Sequence, residues 1–218
     1  GHEDDITAIA SWAVPAGLIG ARVYHVATDW KRYQGSWGDA VKIWEGGLGI
    51  PGGLAAGIIV GVLVARKRGI SPSGILDAVI PSLPIAQAIG RLGNWFNQEL
   101  FGGPTDLPWG LKIDEAHRPT EFMDVATFHP TFLYEGLWNL ALAWFLMRVD
   151  ARRVLKPGHL LGLWIFGYGL GRLWVEALRI DHASLIAGVR VNIWLSMIAL
   201  AAGALITLKG RQKLGSDK

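Results

Sequence analysis

An arginine and several amide side chains stand at the end of an otherwise membrane-like apolar run. Arg91, Asn94 and Gln98 follow at steps of three and four residues, with Glu99 beside them. This spacing predicts that the first three share one helical face, if the helix continues that far. A guanidinium costs about 3 kcal/mol at the centre of a bilayer, so a polar or anionic group is expected to meet it. Its planar fork suits a phosphate, and Asn94 can add a neutral donor.

The alternative for this motif is an internal Arg–Glu pair that orients helices. The neighbouring glycines favour a ligand, because they leave room rather than fill space. These glycines are Gly90, Gly93, Gly102 and Gly103.

A second arginine motif repeats the pattern later in the chain. Arg172, Glu176 and Arg179 stand at i, i+4 and i+7, and Glu176 can pair with either arginine. Trp164 and Tyr168 lie on the same face. A salt ladder along one helix is the alternative here. Two arginine motifs facing one bundle predict a site for an anionic group within or beside a bilayer.

Proton-transfer candidates lie where the fourth apolar stretch begins. His129 can accept a proton, and Glu135 is a candidate buried acid. A solvated histidine at the interface is the alternative for His129. Arg22 ends the first apolar stretch on the same predicted side, and Asp77 is expected to cap the third or to pair with a base. The absence of cysteine excludes thiolate chemistry by the protein itself, and the six histidines lack metal-ligand spacing.

Composition indicates an all-α integral membrane protein. The 218 residues are 51% hydrophobic and 18% charged, whereas soluble domains carry about 25% charged residues. Pro81 and Pro84 interrupt the third stretch, and Gly53, Gly57 and Gly61 predict close helix packing in the second. We predict six spans of sufficient length. They cover residues 9–27, 49–65, 75–96, 130–149, 160–178 and 191–208.

Charge distribution predicts the topology. Short basic loops follow the second, fourth and sixth spans, while segment 98–129 holds many acidic residues. The basic side is therefore cytoplasmic and the long segment external, with both ends inside. We expect one transmembrane bundle over residues 1–208, with an external head segment at 97–130 and a basic cytoplasmic tail at 209–218. The net charge of +3 is not clustered, so a nucleic-acid partner is not expected.

Five motifs follow one another in a fixed order over roughly three-quarters of the chain. They are Trp44-Glu45-Gly46-Gly47, Gly90-Arg91-Leu92-Gly93-Asn94 with Asn97-Gln98-Glu99 and Gly102, Pro108-Trp109-Gly110, His129-Pro130-Thr131 with Tyr134-Glu135, and Gly171-Arg172 with Val175-Glu176 and Arg179. In these motifs and their order the chain resembles the prolipoprotein diacylglyceryl transferase family. That family has seven spans, and the first is expected to be absent here. The resemblance implies a multi-pass protein of the bacterial inner membrane with its active site near the external leaflet.

The resemblance implies the first step of lipoprotein maturation. In this reaction a diacylglyceryl group passes from phosphatidylglycerol, a membrane lipid, to the lipobox cysteine thiol in the signal peptide of a prolipoprotein, and glycerol phosphate leaves. No cofactor or metal is expected. The catalytic candidates are Arg91, Arg172, Glu99, His129 and Glu135. The substrate-binding candidates are Arg91, Asn94, Gly102, Arg172, Glu176, Arg179 and Tyr134.

Two questions stay open from the sequence. The base that takes the thiol proton is His129, Glu135 or Glu176, although pairing with arginine favours a structural role for Glu176. Asn94 and Glu99 are expected to hold Arg91 in place. The main alternative function is a membrane carrier or channel for an anionic solute, with the arginines as its binding site.

Overall fold

The computed structural model describes residues 2–181, 183 and 185–211. The chain is mostly helical and divides into two compact units between Ile75 and Leu76. Residues 212–218 of the predicted tail lie outside the described residues. The α-helices of the described chain are α1 (His2–Thr28), α2 (Ile50–Lys67), α3 (Pro72–Val79), α4 (Ser82–Asn97), α5 (Thr131–Ala151), α6 (Leu160–Leu178) and α7 (Val191–Gly210).

Helices occupy all six stretches for which the sequence predicts them, with one break. The third predicted span is divided into α3 and α4 at Ile80 and Pro81, because a proline lacks the N–H that would continue the helical ladder. Among the described residues, three helical stretches are long and apolar enough to cross a membrane. They are Glu3–Thr28, Pro72–Asn97 and Val191–Gly210.

Small residues bring α1 and α2 together in the first unit. A Cβ on Gly20 would overlap Gly52 and Ala56, and one on Gly53 would lie 3.1 Å from the carbonyl oxygen of Gly17. The predicted packing role of Gly53 is therefore confirmed. Backbones that approach this closely gain dispersion energy along their whole contact.

Helices α4 to α7 pack in sequence order in the second unit. An apolar cluster joins the start of α4 to α5 and α6, with Ile80, Leu142, Leu146 and Leu160 buried in it. Asp77 lies in the last turn of α3, where its carboxylate accepts hydrogen bonds from the N–H of Gly158 at 2.6 Å and of Leu160 at 3.2 Å. It therefore caps the start of α6, and the expectation that it caps its own helix is wrong.

The segment between α4 and α5 has a small core of its own. Strands β1 (Leu111–Lys112) and β2 (Thr127–Phe128) pair antiparallel within it. Phe101, Ile113 and Phe128 are buried together there. A second hairpin of β3 (Leu185–Ile186) and β4 (Val189–Arg190) connects α6 to α7. The segment between α4 and α5 fixes the end of α4 and the start of α5. Arg91 and Glu135, which are described below, lie on these two helices.

Candidate functional site

The carboxylate of Glu135 joins the two arginine motifs. It lies in the second turn of α5, and the residue is 4% exposed. Arg91 Nη2 of α4 lies 2.8 Å from Glu135 Oε1, and Arg172 Nη1 of α6 lies 3.5 Å from Oε2. The guanidinium groups of α4 and α6 therefore converge, as the sequence predicted, with the carboxylate of α5 between them.

The ion pairs continue from Arg172 to the start of α7. Arg172 Nη2 lies 2.8 Å from Glu176 Oε2, and Arg190 Nε donates to Glu176 Oε1 at 2.6 Å. Asn192 Nδ2 donates to the same oxygen at 3.2 Å. The side chain of Glu176 is fully buried. Glu176 thus pairs with Arg172 as expected, but its second arginine is Arg190 rather than Arg179.

Arg179 binds a carboxylate that follows it by two residues. Its Nε and Nη2 donate to Asp181 at 2.6 Å and 2.8 Å, and Arg190 Nη2 lies 3.4 Å from Asp181. Partial burial by itself raises the pKa of Asp181, but the hydrogen bond and charge of Arg179 outweigh it and the pKa is lowered. Burial likewise opposes the charged form of Arg179, and Asp181 more than offsets it, so the pKa of Arg179 is raised.

The groups that are joined by ion pairs carry a positive formal charge. In the part of the chain that the structure describes, four guanidinium groups face three carboxylates, a balance of 4 − 3 = +1, and the carboxylate of Glu99, which reaches Arg91 through Asn94, offsets it. Arg91 has the most exposed of the four arginine side chains, at 25%. Its buried Nε has no hydrogen-bond partner among the described residues. The unused donor of Arg91 suits an anionic ligand.

Asn94 links Arg91 to Glu99. Its Oδ1 accepts from Arg91 Nη1 at 3.2 Å, and its Nδ2 donates to Glu99 Oε1 at 3.0 Å. Asn97 Nδ2 donates to the same oxygen at 3.1 Å. Glu99 therefore acts on Arg91 through Asn94. Because the oxygen of Asn94 accepts from Arg91, this amide orients the guanidinium.

Gln98 leaves the face that the sequence assigned to it. Helix α4 ends at Asn97, and Gln98 adopts a left-handed conformation with φ of 49°. Its amide exchanges two hydrogen bonds with Asp114, one of 2.7 Å to the carboxylate and one of 2.8 Å from the backbone N–H. Gln98 thus anchors the segment after α4 and does not extend the row of Arg91 and Asn94.

Tyr134 connects His129 to the loop that precedes β1. His129 Nδ1 lies 3.2 Å from the Tyr134 hydroxyl, which accepts a hydrogen bond from Trp109 Nε1 at 2.9 Å. The ring of Tyr134 also stacks on Trp174 of α6, with centroids 6.2 Å apart. The imidazole is half-buried. Its orientation is therefore fixed at the start of α5, close in sequence to Glu135.

The glycines of the first motif divide into two groups. A Cβ on Gly90 or Gly93 would meet nothing within 4 Å. A Cβ on Gly102 would lie 2.7 Å from the carbonyl oxygen of Leu178 and 2.9 Å from His129 Cβ. The space at Gly90 and Gly93 agrees with a surface that admits a ligand, whereas Gly102 allows the backbone to pass between the ends of α5 and α6.

Comparison with known proteins identifies the family of the chain. A family model described as prolipoprotein diacylglyceryl transferase matches residues 1–209. The chain belongs to this family. A relative in Frankia alni named phosphatidylglycerol–prolipoprotein diacylglyceryl transferase is 53% identical, with 96% of this chain and 56% of the relative covered. Relatives of the same name are 46% identical in Rhodococcus jostii, covering 97% of this chain and 64% of the relative, and 45% identical in Streptomyces coelicolor, covering 100% and 70%.

The chain therefore spans 56–70% of the length of these three relatives. Family membership and the apolar helices identify a membrane protein. Within the described residues, no group of three or more His, Asp or Glu side chains is arranged to hold a metal ion. The described residues thus combine ion-paired guanidinium groups of α4 and α6 with a hydrogen-bonded histidine just before α5.

Sequence reasoning did not assign four residues that complete the cluster. They are Asp181, Arg190, Asn192 and Trp109. Arg190 and Asn192 lie on α7 and its approach, so no helical periodicity connects them with Glu176. One signal was available. Arg172 and Arg179 lie on either side of Glu176 in the sequence. Glu176 can pair with Arg179 as well as Arg172 only if the helix continues as far as Arg179. Helix α6 ends at Leu178, so Arg179 turns to Asp181 instead.

Proposed function

We propose that this protein transfers the diacylglyceryl group of phosphatidylglycerol to the lipobox cysteine thiol of a prolipoprotein and releases glycerol phosphate. Family membership and the names of the similar proteins support this reaction. The observation that carries it in this chain is the convergence of Arg91 and Arg172 on Glu135, because it concentrates guanidinium groups where a phosphate must bind.

The proposed setting is the bacterial inner membrane. Helices α1, α2, α3 with α4, α5, α6 and α7 form six crossings, and segment 98–129 lies on the external side. A single transmembrane bundle with an external head segment at 97–130 follows from this topology. The support is the short basic loops on one side, such as Arg66, Lys67 and Arg68, and the acidic segment on the other. The site then lies near the external leaflet.

The arginines stabilise the leaving group in this mechanism. The cysteine sulfur forms a bond to the glycerol C3 of the lipid while the bond from C3 to the phosphate oxygen breaks. Negative charge grows on that oxygen as a phosphodiester becomes a monoester. Arg91 and Arg172 are the proposed partners of the phosphate, because a guanidinium fixed where charge develops binds the transition state more strongly than the substrate.

His129 is the proposed acceptor of the thiol proton. Glu135 and Glu176 each face two guanidinium groups, so protonation of either carboxylate would sacrifice two ion pairs. The imidazole of His129 is instead held by a neutral hydroxyl. If Nδ1–H donates to Tyr134, the lone pair of Nε2 is free to accept the proton.

The remaining predicted residues act on these groups. Asn94 and Glu99 orient Arg91, and Tyr134 orients His129. Glu135 lies between Arg91 and Arg172, and Glu176 lies between Arg172 and Arg190, so each carboxylate holds two arginines in position. Arg179 and Gly102 position the end of α6 against the start of α5, since Gly103 N–H donates to Leu178 O at 3.0 Å and Gly102 N–H to His129 O at 2.7 Å.

The proposal is tested by turnover of purified protein with phosphatidylglycerol and a lipobox peptide. Wild-type protein should give thioether product and free glycerol phosphate. Arg91→Ala should reduce turnover by at least about 100-fold, the scale for removal of a donor that stabilises transition-state charge. Its melting temperature in detergent should stay close to that of the wild type, because Glu135 keeps Arg172.

Arg148→Ala is the matched control. Arg148 is exposed at the end of α5, where it lies over the ring of Trp144. This variant should turn over at the wild-type rate. Normal turnover by Arg91→Ala would refute the assignment of the site, and a wild type that forms no thioether from lipid would refute the reaction.

A further inference from the structure

A fully buried amide stands one helical turn from the charged cluster. Asn139 follows Glu135 by four residues on α5 and is 1% exposed. Neither its Nδ2 nor its Oδ1 has a hydrogen-bond partner among the residues that the structure describes. A buried amide without partners is costly, so such groups are normally satisfied by protein, water or a ligand.

Helices α4 and α6 carry uncharged polar groups at the corresponding turn. Gln87 precedes Arg91 by four residues, and its buried Oε1 lacks a partner within the described chain. Tyr168 precedes Arg172 by four residues and is half-buried. On each helix this step is about 6 Å along the axis, away from segment 98–130. Gln87, Asn139 and Tyr168 therefore form a neutral polar layer directly below the ionic one.

An apolar layer begins one further turn away. Leu142 and Leu146 are buried in the cluster with Ile80, and Tyr168 packs against it. Trp164 packs there too, and its buried Nε1 has no partner in the described part of the chain. The order of layers is therefore ionic, neutral polar and apolar. A phosphoglyceride has the same order, with its phosphate, its ester groups and then its acyl chains.

We propose that the neutral polar layer binds the ester carbonyl groups of the lipid donor, with Asn139 Nδ2 as the principal hydrogen-bond donor. This inference rests on the proposed function for the placement of the phosphate at Arg91. The ester groups of a phosphoglyceride are only a few bonds from the phosphate, which matches the single turn between Glu135 and Asn139. An ester accepts hydrogen bonds and cannot donate them, so it uses the unpaired Nδ2–H group of Asn139.

Binding of two matched lipids tests the assignment. Phosphatidylglycerol with ester-linked chains and its ether-linked analogue differ only in the carbonyl oxygens. Dissociation constants for the full-length protein in detergent can be measured by native mass spectrometry of the protein–lipid complex. The wild type should bind the ester lipid about 2- to 10-fold more tightly, the scale for one hydrogen bond. Asn139→Leu should reduce this ratio to about one, chiefly by weakening the ester complex.

Asn139→Leu is expected to fold. It replaces a buried amide without partners by an apolar side chain of similar volume, so its melting temperature should equal or exceed that of the wild type. Leu142→Val, one turn further along α5, is the control for altered packing without loss of a polar group. It should keep the wild-type preference for the ester lipid.

Three outcomes would overturn the proposal. They are no ester preference in the wild type, an unchanged preference in Asn139→Leu, and loss of the preference in Leu142→Val. Water bound at Asn139 in place of an ester would produce the first of these. Turnover measured on the same samples separates this inference from the proposed reaction. Ester-selective binding without thioether formation would refute the reaction and leave the polar layer supported.

Discussion

Two arginines, one in each compact unit, use their guanidinium groups in different ways. Arg22 of α1 is 7% exposed, and its guanidinium is surrounded by backbone carbonyls. Arg91 of α4 is more exposed and faces a carboxylate and an amide on other side chains. Arg22 accordingly donates 2.7 Å to Ala40 O, 2.5 Å to Gly46 O, 3.0 Å to Gly47 O and 2.6 Å to Asp39 O.

Arg22 serves the loop that follows α1. All three of its nitrogens donate to that loop, and its guanidinium lies 5.4 Å from the ring centroid of Tyr33. Its charge is compensated by the dipoles of carbonyl groups and not by a carboxylate. Arg22 therefore has a structural role, because its hydrogen bonds hold the chain between residues 39 and 47 in place. Arg91 instead keeps an unpaired donor, its Nε, among the described residues. Both types of arginine satisfy the requirement that an intramembrane cation has partners, but only the second leaves capacity for a ligand.

The largest expected effect comes from removal of the carboxylate of Glu176, which pairs with two arginines of the cluster that contains Arg91. Glu176→Gln removes the two short ion pairs of a fully buried carboxylate, and leaves Arg172 only its longer contact with Glu135 and Arg190 only its longer contact with Asp181. Breaking a buried ion pair in this way costs about 3–5 kcal/mol in stability. Thermal unfolding in detergent should therefore show a large decrease in melting temperature.

Glu121→Gln provides the matched control. Glu121 is exposed in the segment before β2, and its replacement should change the free energy of unfolding by no more than about 0.5 kcal/mol. Equal stability of the two variants would mean that the charges of the cluster are compensated by water and not by Glu176.

Lysine substitutions separate the two arginines directly. Arg22→Lys keeps the charge but loses the fork that reaches four carbonyls, so unfolding free energy should fall by about 1–3 kcal/mol. Arg91→Lys should change stability by less than about 1 kcal/mol, because lysine keeps a positive charge opposite Glu135, while turnover falls about 10- to 100-fold. Melting curves and thioether formation are measured on both variants.

The two measurements should thus respond oppositely to the same chemical change. Wild-type turnover in Arg91→Lys, together with a loss of stability equal to that of Arg22→Lys, would show that Arg91 is structural. A stable Arg22→Lys would show that the loop does not depend on the planar fork.

Sequence periodicity predicted the helices and the meeting of Arg91 with Arg172. Apolar stretches set where the helices lie, and a cation in such a stretch needs partners, which limits where it can point. The ion pairs of the cluster were predicted only in part, because they depend on the position at which each helix ends. Gln98 leaves the Arg91 face since α4 stops at Asn97, and Arg179 leaves Glu176 since α6 stops at Leu178.

Partners outside a helical face carry no periodic signal. Arg190 approaches Glu176 from the hairpin before α7, and Asp77 caps a helix more than eighty residues later in the chain. Such contacts depend on how the helices pack. The orphan amide of Asn139 is also invisible in sequence, where a single asparagine in an apolar helix indicates only that some partner is required.

The smallest expected effect concerns Asp181 at the edge of the cluster. Arg179 lowers the pKa of this carboxyl below its unfolded value of about 3.9. The folded protein therefore gains stability from the charged form above about pH 4, and this gain is lost as pH falls through the lowered pKa. Asp181→Asn should melt about 1–3 °C below the wild type at pH 7, the scale for a partly exposed pair.

That difference should begin to shrink below about pH 4 and should vanish only below the lowered pKa, where the folded wild-type carboxyl is protonated as well. Melting temperatures of both proteins between pH 2 and pH 8 measure it. A difference that stays constant across this range would mean that Asp181 stabilises the end of α6 through its shape and not its charge. Turnover at pH 7 should change less than in Arg91→Lys, because Asp181 binds the arginine farthest from the proposed phosphate.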